Sequence, residues 1–217
     1  METSVRQRIL EAYIDYLLMK GHQPATVYSF CKDLGMEEPE FYSHYASFSA
    51  IEQDVWFMHY EETIHTIKAQ DLWAGYSVRE KFLSFFFTYF EGLQKRRSFY
   101  LAQIKQHKSE LKIFTPDFLK KVKDAFELFS NELVKDGIST GEIKDRAGIT
   151  SRYKDALWIQ FNFLLNFWVN DNSPGFERTD EAIEKGVQVT LDLMSHSPLD
   201  NLVEYGKFIF KNAGKTF

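Results

Sequence analysis

Residues 26–45 read Thr26-Val27-Tyr28-Ser29-Phe30-Cys31-Lys32-Asp33-Leu34-Gly35-Met36-Glu37-Glu38-Pro39-Glu40-Phe41-Tyr42-Ser43-His44-Tyr45. The Thr26 hydroxyl is placed to cap a helix, and Val27, Phe30, Cys31 and Leu34 recur at the three- and four-residue steps of one apolar helical face. Gly35 stands where that helix should end, because glycine takes the left-handed conformation that closes helices without a Cβ penalty. Met36 then leads into a second short helix that puts Phe41 and Tyr45 on one face and turns Tyr42 and His44 away from it. Upstream, residues 4–20 carry Ile9, Tyr13, Tyr16, Leu17 and Met19 among Arg6, Arg8, Glu11 and Asp15, an amphipathic helix with one buried face that Gly21 ends. Three helices in this order, the last two joined by a glycine turn, outline a helix-turn-helix.

The order and spacing of Lys20-Gly21, Thr26, Phe30-Cys31, Gly35-Met36 and Phe41-Tyr42-Ser43-His44-Tyr45 resemble the amino-terminal head of the TetR family of transcriptional regulators. Phe30-Cys31 stands where that family usually has Ile-Ala, and residues 41–45 resemble its Phe/Leu-Tyr-x-His/Tyr-Phe signature. The resemblance covers about the first 60 residues; beyond them only a general all-helical likeness continues. It implies an all-α, TetR-like fold with a three-helix head over residues 1–47 and a helical ligand-binding and dimerisation body over residues 48–217. It also implies a homodimeric, ligand-responsive repressor that binds a palindromic operator and releases it when an effector binds. Carried onto this chain, Thr26 and Tyr42 would contact phosphate, Ser43 and His44 would lie near bases, and Lys32 would be the one nearby cation.

The departures all run in one electrostatic direction. Glu37, Glu38, Pro39 and Glu40 stand where the family usually reads Ser-Lys-Gly ahead of its aromatic pair, and Phe48 replaces a lysine that touches phosphate. Residues 1–60 hold four Lys/Arg against nine Asp/Glu, a net of 4 − 9 = −5, equal to the net charge of the whole chain. Phosphate neutralisation supplies most nonspecific DNA affinity. One glutamate in a reading helix has a use, accepting from the cytosine amino group. Glu37, Glu38 and Glu40 together weaken operator binding, and the helix-turn-helix is either a reading head or a packing unit that has lost its DNA role.

At 217 residues and 44% hydrophobic, the chain can bury a substantial core. Its 21 Phe exceed ordinary usage, and such rings either fill a core or line a cavity for an apolar ligand. The lone Cys31 excludes an internal disulfide and fits a reducing compartment. The amino terminus lacks the uninterrupted apolar stretch of a signal peptide, and the most apolar windows, 82–90 and 157–169, fall short of the roughly 20 residues that span a bilayer. A cytoplasmic location follows as the expectation.

After a break at Ala46-Ser47, a long helix starts near Phe48 and runs through Ile51, Val55, Phe57, Met58, Thr63, Ile64 and Ile67. His59, Glu62 and His65 are spaced three apart on it, but no second set of donors completes a di-iron site, so they are expected at the surface and no metal is expected. Residues 78–100 carry a wide aromatic stripe, and the helix opened by Thr115-Pro116-Asp117 buries Phe118, Val122, Phe126, Phe129 and Leu133 before stopping at Gly137. Core or cavity wall is open for both. If cavity, Phe82, Phe86, Phe90, Phe126, Phe129, Trp158 and Asn162 line a pocket for an apolar small-molecule effector. From Lys95 to Lys123 nine cations face two acids, a local net of +7. Lys105, Lys108 and Lys112 form a stripe there that is either solvated or docks on an acidic partner or an anionic membrane surface.

Ser139 to Gly148 reads as a loop with weak local order. Residues 151–170 are apolar nearly all round apart from Asn162, Asn166 and Asn170 at four-residue steps. Such a helix needs cover on both sides, most simply from a second subunit. Thr179-Asp180-Glu181 is expected to cap the next helix, with Ile183, Val187, Val189, Leu191 and Met194 on its apolar face. Phe163, Phe167, Trp168, Ile183, Val187 and Leu191 are the expected dimer interface. A final helix, 198–211, closes the chain with Leu202, Val203, Tyr205, Phe208 and Phe210.

No glycine-rich phosphate loop, cysteine pair, His-x-x-x-His or Gly-x-Ser-x-Gly is present, so neither catalysis nor a cofactor is expected. The rival function is a TetR-fold protein that no longer binds DNA and instead binds a lipid-like or other apolar small molecule. A dimeric protein-interaction module is a third.

Overall fold

The computed structural model describes residues 4–107, 115–195 and 205–211, and what it describes is all α. The helices are α1 (Val5–Lys20), α2 (Val27–Leu34), α3 (Glu38–His44), α4 (Phe48–Lys68), α5 (Val78–Gln94), α6 (Arg97–Gln106), α7 (Lys120–Thr140), α8 (Tyr153–Asn170) and α9 (Glu177–Met194), followed by a helical stretch at 205–211. The chain divides into two compact units, Met1–Ala69 with Thr88–Ala125, and Gln70–Phe87 with Phe126–Phe217.

In the first unit, local chemistry sets the helix ends. The Ser4 side chain accepts from Gln7 N, and Gly21, at φ 76°, closes α1 by donating its N–H to Leu17 O. Thr26 caps α2 and left-handed Gly35, φ 65°, ends it. Ser47 caps α4 by accepting from Ala50 N. Phe30 then organises the head: its ring centre lies 5.4 Å from Phe48, 6.2 Å from Phe41 and 6.4 Å from Tyr13. Each such ring taken fully out of water stabilises by roughly 2 kcal/mol before entropy is counted. Met19, expected on the buried face of α1, is exposed instead; Leu10 and Ile14 take its place beside Ile9, Tyr13 and Leu17.

α1 packs against α6, and α4 packs against the turn Asp117–Leu119. Trp56 is fully buried there, its ring 4.6 Å from Tyr100 and 5.1 Å from Phe118, with its indole N–H donated to Gln103 Oε1 at 2.5 Å.

The second unit is built on aromatic packing. Phe85 meets Phe126 and Phe129, each at 5.3 Å, Phe126 meets Phe161 at 5.2 Å, and Trp158 stacks on Phe161 at 4.9 Å. α8 and α9 lie against each other.

Three local expectations are corrected. α7 does not stop at Gly137 but continues to Thr140. A Cβ at Gly137 would sit 2.8 Å from Ile143, so this glycine is a packing notch rather than a terminator. The segment after it is not weakly ordered: Ile143 is buried, Lys144 N donates to Met194 O, and the Arg146 guanidinium donates to Leu193 O, Met194 O and Ser195 O at the end of α9. Thr179 is not the cap of α9, which begins at Glu177. The Asp171 carboxylate caps from outside, accepting from Ser173 N and Oγ and from Thr179 N and Oγ1 at 2.7–2.9 Å.

Candidate functional site

The surface of the head is laid out by α2, the Gly35 turn and α3. Phe41 and Tyr45 are buried, which forces their neighbours outward: Tyr42 is 52% exposed, and Ser43 and His44 are exposed beside it. Thr26 Oγ1 accepts from Ser29 N at 3.1 Å and remains at the surface. The chain thus brings Thr26, Tyr42, Ser43 and His44 onto the outside of one small motif. Lys32 joins them, with Nζ 3.5 Å from the Glu37 carboxylate and 5.5 Å from the Tyr28 ring centre. Part of its charge is therefore already answered within the chain.

The glutamates have a structural use. α3 has no side-chain cap, and Glu38 and Glu40 in its first turn lie near the positive end of its dipole, where acids are favourable. Glu37 and Glu40 are exposed and Glu38 is half-buried.

Beneath this surface lies a polar cluster that sequence reasoning missed. The buried Asp54 carboxylate accepts from Arg6 at 2.6 Å and from Tyr45 Oη at 2.8 Å, and its other oxygen lies 3.8 Å from Lys121. Hydrogen bonds to Tyr45 and Asp54 hold the Arg6 guanidinium above its usual range, and burial pushes the Tyr45 phenol up to about 12. Two residues earlier on α4, Glu52, also buried, accepts from Tyr13 Oη at 2.5 Å and lies 3.9 Å from His107. These carboxylates tie the head to α4, α6 and the start of α7 within one compact unit. Both sit in an α4 sequence that reads as an ordinary mixture of apolar and charged residues, so only the proximity of Arg6, Tyr13, Tyr45 and Lys121 distinguishes them.

His59 is corrected from the surface to the interior. It is 8% exposed, its Nε2 lies 2.9 Å from Tyr89 O, and its ring centre is 4.6 Å from Tyr89. Glu62 and His65 are exposed, and among the described residues no group of three His, Cys, Asp or Glu could hold a metal ion.

The proposed pocket residues Phe82, Phe86, Phe126, Phe129 and Trp158 are all buried. They pack ring on ring, Phe86 on Phe126 at 6.1 Å, Phe82 on Phe129 at 6.3 Å and Phe126 on Trp158 at 6.0 Å. Phe90 lies in the other unit. Asn162 is half-buried and donates to Trp158 O on its own helix, as Asn170 does to Asn166 O, the usual four-residue back-bond.

Of the expected interface residues, Trp168, Ile183 and Val187 are buried within the chain itself, while Phe167 and Leu191 are half-buried. Phe163 is 57% exposed and Ile159, one turn earlier, 69%. With Val189 they line a largely apolar groove of about 710 Å³ along α8 and α9. Lys105 is exposed; Lys108 and Lys112 lie outside the described residues, as do Leu202 and Val203. No described helix is long and apolar enough to cross a membrane.

Comparison with known proteins agrees with this geometry. Residues 81–209, more than half of the chain, match the family described as tetracyclin repressor-like, C-terminal domain, and the chain belongs to the TetR family. Solved structures share the fold. A protein assigned to the TetR-family transcriptional regulators from Syntrophomonas wolfei is 16% identical with a TM-score of 0.65, over 86% of this chain and 94% of that one. Another from Shewanella sp. PV-4 is 14% identical with a TM-score of 0.62, over 89% and 100%. The TetR-family transcriptional regulator PfmR from Thermus thermophilus is 17% identical with a TM-score of 0.51, over 88% and 97%. No curated protein matches the sequence.

Proposed function

We propose that this chain is a ligand-responsive transcriptional repressor that works as a homodimer, with residues 1–47 as its DNA-contacting head and residues 48–217 as its effector-binding and dimerisation body. The observation that carries the reading is the head surface, where Thr26, Tyr42, Ser43 and His44 stand outward on a helix-turn-helix whose core is closed by Phe30, Phe41 and Phe48. In such motifs the second helix enters the major groove while side chains around it hold phosphate. The dimer reading is supported by the apolar groove along α8 and α9, with Ile159, Phe163, Phe167 and Val189 as its contact residues. An apolar effector finds support in a hollow of about 390 Å³ lined by Ile149, Tyr153, Leu193 and Met194.

The decisive experiment selects duplexes from sheared genomic DNA with the purified protein at physiological salt. A repressor enriches a palindrome with half-sites about one helical turn apart; no enrichment over random duplex sinks the proposal. The second reading, a TetR-fold protein that binds an apolar ligand and no DNA, is favoured by exposed Glu37 and Glu40 with Lys32 already paired to Glu37. Native mass spectrometry showing a co-purified apolar molecule, together with a failed selection, supports it.

A further inference from the structure

A surface cleft of about 480 Å³ opens where α1, α4 and the α5–α6 junction meet, all within the first unit. Its size falls in the range that holds small organic ligands. His59 lies on its wall, more than nine-tenths buried. Tyr89 O is an acceptor, so the Nε2 facing it at 2.9 Å carries the proton. Burial pushes the imidazole below its usual range, which favours the neutral ring. Its Nδ1 is then a lone-pair acceptor, and among the described residues it has no hydrogen-bond partner. Gly92 makes room for this ring: a Cβ there would come within 2.4 Å of His59 Cε1.

The charged groups around the cleft are divided. Lys95 and Arg96 border it from the α5–α6 junction, and Glu62 borders it from α4, one turn beyond His59. Neither cation makes an ion pair among the described residues. On their other side the same cations border a hollow that also contains Arg97, Glu11 and Asp15. The surroundings are therefore close to charge-balanced, which disfavours a multiply charged anion. Leu10, Val55 and Met58 supply an apolar wall.

We propose that this cleft binds a small apolar α-amino acid, its carboxylate held by Lys95 and Arg96, its ammonium donating to His59 Nδ1 and facing Glu62, and its side chain lying against Leu10, Val55 and Met58. An ammonium with N–H groups suits a bare imidazole acceptor, and a carboxylate suits two unpaired cations. The inference stands whether or not the head binds DNA.

The test is calorimetric titration of the full chain, free of DNA, with leucine and methionine. N-acetyl-leucine, which lacks the ammonium, and leucine amide, which lacks the carboxylate, serve as probes of the two ends. Saturable binding of the amino acids is expected, with each truncated probe and the Arg96→Gln variant weakened about tenfold or more, the loss that one charge-assisted hydrogen bond brings. The His59 Nδ1 resonance should move on binding, which reports the site without a variant that might not fold. Absence of binding by either amino acid, equal binding of the truncated probes, or an unmoved His59 resonance under saturation overturns the proposal.

Discussion

Asp54 shows how much of this head depends on one buried carboxylate. Arg6, Tyr45 and Lys121 reach it from three different segments, and Arg6 is itself half exposed. Removing the acid leaves two cations that water can recover and a tyrosine hydroxyl that it cannot readily reach. Asp54→Ala is therefore expected to destabilise by about 2 kcal/mol, less than the 3–5 kcal/mol of a wholly buried pair, measured by urea unfolding. A change under about 0.5 kcal/mol, the range of an ordinary surface substitution, would show the cluster to be incidental. Trp56→Phe works through the opposite mechanism: it preserves most of the ring but strips Gln103 Oε1 of its indole donor in a fully buried setting. A loss of about 1–3 kcal/mol is expected from the stranded amide, visible as a lower thermal midpoint.

At the scale of elements, α9 is held by a carboxylate six residues before its first turn rather than by its own cap. Burial pushes Asp171 up, yet hydrogen bonds from Ser173 and Thr179 outweigh it and bring the carboxyl down to about 2. A depressed folded value means that the stabilisation is present above the unfolded value near 3.8 and is lost as pH falls through about 2. That difference corresponds to about 2 kcal/mol. Asp171→Asn should lose this much at neutral pH, and its gap from the parent protein should close as the pH drops from about 5 toward 2. A gap that stays constant with pH would show that the carboxylate charge contributes nothing. α3 illustrates the same dipole physics used differently: its first-turn glutamates steady a seven-residue helix without a cap while charging the surface that would face a duplex.

At the scale of the whole molecule, association and DNA contact each turn on exposed side chains. Phe163 is more than half exposed and takes little part in its own chain's core. Phe163→Glu should therefore leave helicity unchanged and turn a dimer into a monomer by light scattering; a dimer that persists would move the interface elsewhere. Each glutamate replaced at Glu37 and Glu40 removes one negative charge from the head. The double variant to glutamine should bind duplex DNA more tightly than the parent at low salt, the difference shrinking as salt is raised through screening. Equal affinity for both proteins would show that this surface does not meet the polyanion.

The helical class, the glycine-closed ends of α1 and α2, and the outward placement of Tyr42 beside inward Phe41 and Tyr45 all follow from the order of residues, because capping and helical periodicity act within a few positions of one another. The TetR resemblance was legible for the same reason, through consecutive local features. Burial of Glu52, Asp54 and His59 was not legible, since all but one of the partners named here, Tyr45, come from residues 30 to 67 positions away and charged side chains on a helix ordinarily face water. Gly137 likewise looked like a helix stop and proved to be a notch for Ile143, and Trp168 looked like an interface residue and proved to be core. Local chain chemistry determines where a helix starts, stops and turns its apolar face. Which of its residues another helix covers depends on packing between distant segments, and that only the tertiary structure decided.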